Sequence, residues 1–182
     1  MLLSCGYADR HRNSSSCEQA LVDSLEVRVQ DSLFSNVHYS RSQLLEALTQ
    51  TQDSLVYYRL LALYGKTFFV SSDFDSILYY NRRVKEFSRN ASQSSESLQS
   101  PRWNDVLSDV YNIEGNVWMQ LNRPDSAIID YKKAYGYRLE GKKLHLLPDI
   151  CINIADAYLH RSDLAHTASY LSLIHISEPT RP

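Results

Sequence analysis

The sequence predicts an all-α fold of antiparallel helix pairs, on three observations. The first is a spacing of small and aromatic residues, Tyr111-x2-Glu114-Gly115-x2-Trp118 followed by Ala127-x3-Tyr131-x2-Ala134. Two short helices approach closely only where small residues sit at their crossing and large apolar residues surround it. Gly115 and Ala127 suit that crossing, Trp118 and Tyr131 fill the space beside it, and Ala134 leaves room for a following helix. The second is recurrence. The same frame laid on Gly65 gives Phe68 as the second aromatic and Ser72-Asp73-Phe74 at the turn; laid on Ala155 it gives Tyr158 and Ser162-Asp163-Leu164. The third is composition: five Gly, five Pro and 43% hydrophobic residues in 182 fit a compact helical chain, and many of the 13 Tyr fall at pattern positions.

In chain order, Leu21, Leu25, Val29 and Leu33 recur at helical spacing, which predicts a helix over Glu18 to Phe34. A shorter helix follows over Ser42 to Thr51 with Leu44, Leu45 and Leu48 inward, and together they form an opening pair over 17–52. Three repeats then occupy 53–170. The first pairs Asp53–Val70 with Asp73–Ser88, the second Trp103–Leu121 with Pro124–Leu139, and the third His145–Arg161 with a shortened Asp163–Tyr170. Asp73 and Asp163 suit N-caps, and Pro124 takes the matching first-turn slot. Asp75 and Asp125 lie near helix N-termini, where carboxylates are favoured, and Arg82, Arg83 and Lys85 late in a helix, where cations are.

The spacing resembles the tetratricopeptide repeat, carried here by Gly65, Phe68, Tyr111, Gly115, Trp118, Ala127, Tyr131, Ala134, Ala155 and Tyr158. The resemblance implies a right-handed superhelical solenoid whose usual work is holding another protein. There are departures: the key small residues stand 50 and then 40 apart, against about 34 in the standard repeat. The extra length falls in the polar run Asn90–Ser97 and in Gly141–Pro148. Ile77, Asn81 and Val84 replace the expected Ala, aromatic and Ala, and Glu114 replaces Leu. In the family the first helix of each pair lines a concave face. The residues carried onto it are Arg59, Ala62, Lys66, Phe69 and Val70, then Asp109, Asn112, Asn116, Met119 and Gln120, then Asp149, Ile152, Asp156, Leu159 and His160. Some relatives clamp a peptide carboxylate with Lys, Asn and Arg, but Asp109, Asp149 and Asp156 argue for a mixed polar groove instead.

Both ends carry separate signals. Met1-Leu2-Leu3-Ser4-Cys5-Gly6 resembles a bacterial lipobox, which implies lipid attachment at Cys5 and a flexible leader over 1–16. Leu171 to Arg181 resembles the translation of a transposase sequencing adapter, so 171–182 is set aside as a scar and the third repeat is expected to break off in mid-helix. The combination is similar to repeat proteins of Bacteroidetes-type bacteria that follow a lipobox or signal sequence. It implies an envelope location facing the periplasm, with a cytoplasmic one as the alternative.

No catalytic constellation is visible. His11, His38, His145, His160 and His166 are scattered without a metal-binding spacing, and five glycines spread along the chain build no phosphate loop. A net charge of −2 gives no basic footprint for nucleic acid, and no run of about 18 apolar residues suggests a membrane span. Cys151 lies on an apolar helix face, and its pairing with Cys17 stays open. The leading expectation is a non-catalytic scaffold with a protein or peptide in the groove, without cofactor, metal or small-molecule substrate. Two alternatives are the sensory half of a larger regulator, with a histidine kinase or DNA-binding output beyond Tyr170, and an enzyme confined to this segment.

Overall fold

A computed structural model describes residues 20–29, 31, 35–91 and 100–177, and among the described residues every regular element is an α-helix or a 3-10 turn. The helices are α1 (residues 20–29), α2 (Val37–Gln50), α3 (Ser54–Lys66), α4 (Phe74–Ala91), α5 (Pro101–Gln120), α6 (Pro124–Leu139), α7 (Leu147–His160) and α8 (Leu164–Ser177). The fold class is all-α. The chain divides into two compact units, Met1–Val84 and Lys85–Pro182, with α4 crossing the boundary.

The same turn closes three helices. Ser72, Asn122 and Ser162 all adopt the left-handed conformation, with φ of 53°, 56° and 59°. Their N–H groups donate to the carbonyls of Phe69, Met119 and Leu159, at 3.1, 2.9 and 2.8 Å. The next residues, Asp73, Arg123 and Asp163, donate to the carbonyls of Phe68, Trp118 and Tyr158, at 3.2, 2.8 and 2.9 Å. This paired closure satisfies carbonyls that a helix end leaves without partners. It falls at the two turns expected at Ser72-Asp73-Phe74 and Ser162-Asp163-Leu164 and also just before Pro124, and the aromatic residues Phe68, Trp118 and Tyr158 carry the carbonyls that accept the closing bonds. The following helix is capped as expected. Asp73 accepts from the Ser76 N–H at 3.1 Å, Asp163 accepts from the His166 N–H at 3.2 Å, and Pro124 occupies the first turn of α6.

In the first unit the core joins Val22, Leu25 and Val29 of α1 to Leu44 and Ala47 of α2 and to Val56 and Leu60 of α3. The α1 stripe is therefore corrected at one position, since Leu21 is exposed and Val22 is buried. A three-then-four spacing stays closer to one helix face than repeated steps of four. Helix α2 begins at Val37 rather than Ser42 because the Asn36 side chain accepts the Tyr39 N–H at 3.1 Å and caps it. Leu45, expected inward, is exposed. Helix α3 stops at Lys66 and tightens into a 3-10 turn over Thr67–Ser71. Arg41 anchors that turn: its Nε donates to Thr67 Oγ1 at 3.0 Å and its guanidinium lies 4.1 Å from the centre of the Phe68 ring.

Helix α4 runs to Ala91, beyond the expected Ser88, so Arg82, Arg83 and Lys85 lie in its middle and the dipole does not explain them. Ile77, Asn81 and Val84, the residues that depart from the repeat pattern, are all fully buried. A Cβ placed on Gly65 would stand 2.9 Å from Tyr80 Cβ, so α3 and α4 pack too closely there for any larger residue without a shift.

In the second unit α5 pairs with α6, α6 with α7, and α7 with α8. Ala127, Tyr131 and Ala134 of α6 share a core with Ile150, Ile154 and Tyr158 of α7. Trp103 at the start of α5 packs edge-on against Phe87 and donates its indole N–H to Ser88 Oγ at 3.1 Å. A 3-10 turn over Leu144–Leu146 leads into α7, which begins at Leu147 rather than His145. Cys151 is a buried free thiol, and burial pushes its pKa up. Helix α8 continues past Tyr170 to Ser177. Cys5, Cys17, His11 and residues 92–99 and 178–182 lie outside the described residues.

Candidate functional site

The groove residues expected on first helices fall into two groups, one in each unit. In the first unit Arg59 is a correction. It is only 6% exposed, and its guanidinium binds Asp23 of α1 at 2.8 Å, with Glu26 at 3.7 Å. A guanidinium taken from water is held by a carboxylate of its own chain, because an unpaired buried charge is costly. Arg59 therefore fastens α1 to α3. Ala62, Lys66 and Phe69 are half-buried and Val70 is exposed.

In the second unit the expected residues gather along the neighbouring helices α5 and α7. Asn112 of α5 accepts an amide hydrogen bond from Asn153 of α7 at 3.0 Å. One turn further on, Asn116 accepts from the Tyr131 hydroxyl at 2.7 Å. Burial, and secondarily the charge of Asp156, push the Tyr131 phenol far up, so it stays a neutral donor. Asp149, Asp156 and His160 of α7 are exposed, as is Gln120 of α5. Ile152 is 49% exposed and Leu159 51%.

Asp109 behaves differently from the expectation of a free groove carboxylate. It binds Arg138 of α6, which is only 2% exposed and also donates to Asp105 at 2.9 Å. Asp105 in turn accepts the N–H groups of Lys142 and Lys143 at 3.0 and 3.1 Å. A Cβ on Gly141 would collide with the Asp105 carboxylate. Asp105 and Arg138 thus tie the α6–α7 connection down onto α5. The sequence reading missed both, since neither belongs to the repeat pattern; the Gly141-Lys142-Lys143 run was the available signal.

A second polar cluster lies between α4 and α5. Glu114, where the repeat pattern has leucine, is buried and accepts both its hydrogen bonds from Lys85 Nζ, at 2.8 and 2.6 Å. Burial raises its pKa, and the Lys85 ammonium opposes that rise. Lys85 and Lys133 lie 5.2 and 5.0 Å from the Tyr111 ring, which stacks on Tyr137. Burial, then Tyr137, push the Tyr111 phenol up to about 12. Lys85 and Glu114 thus neutralise each other between α4 and α5, and Lys133 pairs with Asp130 at 3.1 Å.

His160 and His166 are both exposed, and they sit on different neighbours: His160 faces Asp156 at 3.9 Å, and His166 stacks on Tyr158 at 4.6 Å between ring centres. No group of three metal-ligating side chains occurs among the described residues. No described helix is long and apolar enough to cross a membrane. No protein-family model matches the chain, and neither the curated proteins nor the solved structures give a match.

Proposed function

We infer that this chain is a non-catalytic scaffold of the tetratricopeptide type, which holds another protein on the face formed by the first helix of each pair. The observation that carries the reading is the threefold recurrence of one left-handed closure, at Ser72, Asn122 and Ser162, in register with the small-aromatic pattern. Repeated helix pairs with the same turn are the unit from which extended binding surfaces are stacked. The half-buried amides of Asn112, Asn116 and Asn153, and exposed Ile152 and Leu159 on the same helix as Asn153, are polar and apolar groups of the kind a bound segment uses. An envelope location rests on the lipobox resemblance around Cys5 alone.

A photo-crosslinking side chain at Asn116, compared with one at exposed Ile129 on α6, tests this in extracts of the source cells. A discrete crosslinked protein at Asn116 and none at Ile129 is the expected result. Crosslinking at neither position, or equally at both, overturns the scaffold reading.

A further inference from the structure

Outside the core, α7 presents one ordered stripe. Asp149, Ile152, Asp156 and Leu159 follow one another at intervals of three, four and three residues, and all four are exposed. That alternation is the spacing by which a helix keeps one seam turned toward a second helix. The stripe alternates carboxylate and aliphatic, and each type repeats about every 10.5 Å along the helix at 1.5 Å per residue. Neither Asp149 nor Asp156 has a Lys or Arg partner among the described residues; the neighbour of Asp156 is His160, at 3.9 Å. On α5, Asp109 shares the single Arg138 guanidinium with Asp105, so two carboxylates face one cation there. The exposed face of α7 therefore presents two carboxylates without a Lys or Arg partner among the described residues, alternating with two exposed aliphatic side chains.

We propose that the stripe docks a basic amphipathic helix of a partner protein, with lysine or arginine opposite Asp149 and Asp156 and aliphatic side chains against Ile152 and Leu159. The proposal rests on the scaffold reading above and adds the chemistry of the partner. Charge complementarity makes the choice. An acidic helix sets like charges against both aspartates, and a wholly apolar one buries them unpaired, which is costly. A helix rather than an extended strand matches the three-four alternation of both residue types.

The test uses the full chain and a labelled synthetic helix of three heptads with lysine at the first and leucine at the fourth position of each, read by fluorescence anisotropy. The expected result is saturable binding that weakens with salt. It also falls at least about ten-fold for Asp149→Asn with Asp156→Asn, or for Ile152→Ser with Leu159→Ser. Ile129→Ser on α6 leaves it unchanged. All these positions are exposed, so far-UV circular dichroism is expected to match the parent. Absence of binding, equal binding of the same peptide with glutamate for lysine, or indifference to the aspartate substitutions overturns the proposal. Crosslinking at Asn116 in that case leaves the scaffold reading standing, so the two failures are told apart.

Discussion

The ring of Tyr131 on α6 occupies the space that a side chain on Gly115 of α5 would fill. Tyr131 is almost wholly buried, and its hydroxyl reaches past the crossing to Asn116. The contact therefore sets both the approach of the two helices and the placement of the Asn116 amide. Gly115→Ala is expected to cost about 1–3 kcal/mol by forcing the ring or the helix aside. Ala127→Leu, at a fully buried position on the same face, is expected to cost a similar amount. Urea unfolding midpoints check both; a neutral result for either would count against the close crossing.

The Lys85–Glu114 pair makes a prediction by comparison. Lys85→Met strands a buried carboxylate and is expected to destabilise by about 3 kcal/mol or more, whereas Lys85→Met with Glu114→Leu is expected to recover most of that loss. Recovery follows because removing both charges leaves no unpaired ion in the buried site, and leucine fills it with apolar side chain. A double variant as unstable as the single one would mean that the ion pair is needed for more than its own neutralisation.

At the three closures, Ser72 and Ser162 hold a left-handed conformation that a β-carbon disfavours. Replacement of either serine by glycine is expected to stabilise by about 0.5–1 kcal/mol, and Asn122→Gly by less, because asparagine tolerates this region. Thermal unfolding of the three single variants gives the order directly. A loss of stability at Ser162→Gly would contradict the assigned geometry.

Acid titration separates two kinds of carboxylate. Hydrogen bonds from Ser76 hold Asp73 below the usual value of 3.8, and hydrogen bonds from His166 do the same for Asp163. A carboxylate with a depressed folded pKa contributes stability above its unfolded pKa and loses it as pH falls through the folded one. Glu114 has the opposite sign: burial raises its pKa above 4.5, so its contribution is greatest below that value and declines as pH rises through the folded pKa. Asp73→Asn keeps a capping oxygen but removes the titration, and is expected to flatten the loss of stability below about pH 4. Unfolding midpoints between about pH 6 and pH 3 measure it; an unchanged acid limb would refute the assignment.

Much of this architecture was legible in the sequence. The paired helices, the turn positions and the caps at Asp73 and Asp163 follow from local rules: apolar periodicity, side-chain oxygens that accept backbone N–H groups, and a proline whose missing N–H is harmless in a first turn. Glycine and alanine at the crossings also have a local meaning, since size alone decides how near two backbones come.

What local rules did not reach is the matching of groups far apart in sequence. Arg59, read as a groove residue, is spent on Asp23, and Asp109 is shared with Arg138, because a guanidinium taken from water must find its counter-charge wherever the fold brings one. Glu114 looked like a departure from the pattern until Lys85 was placed beside it. The early start of α2 at Val37 follows from the Asn36 cap, which the sequence reading overlooked, and the 3-10 turn after Lys66 is held by Arg41 reaching in from another helix. The sequence by itself determined that this chain folds as helix pairs with repeated turns, since periodicity, size and capping act over a few residues. Only the tertiary structure decided which polar side chains are consumed in holding the pairs together and which, like Asp149 and Asp156, remain exposed to solvent, because that depends on which distant residues the fold brings beside them.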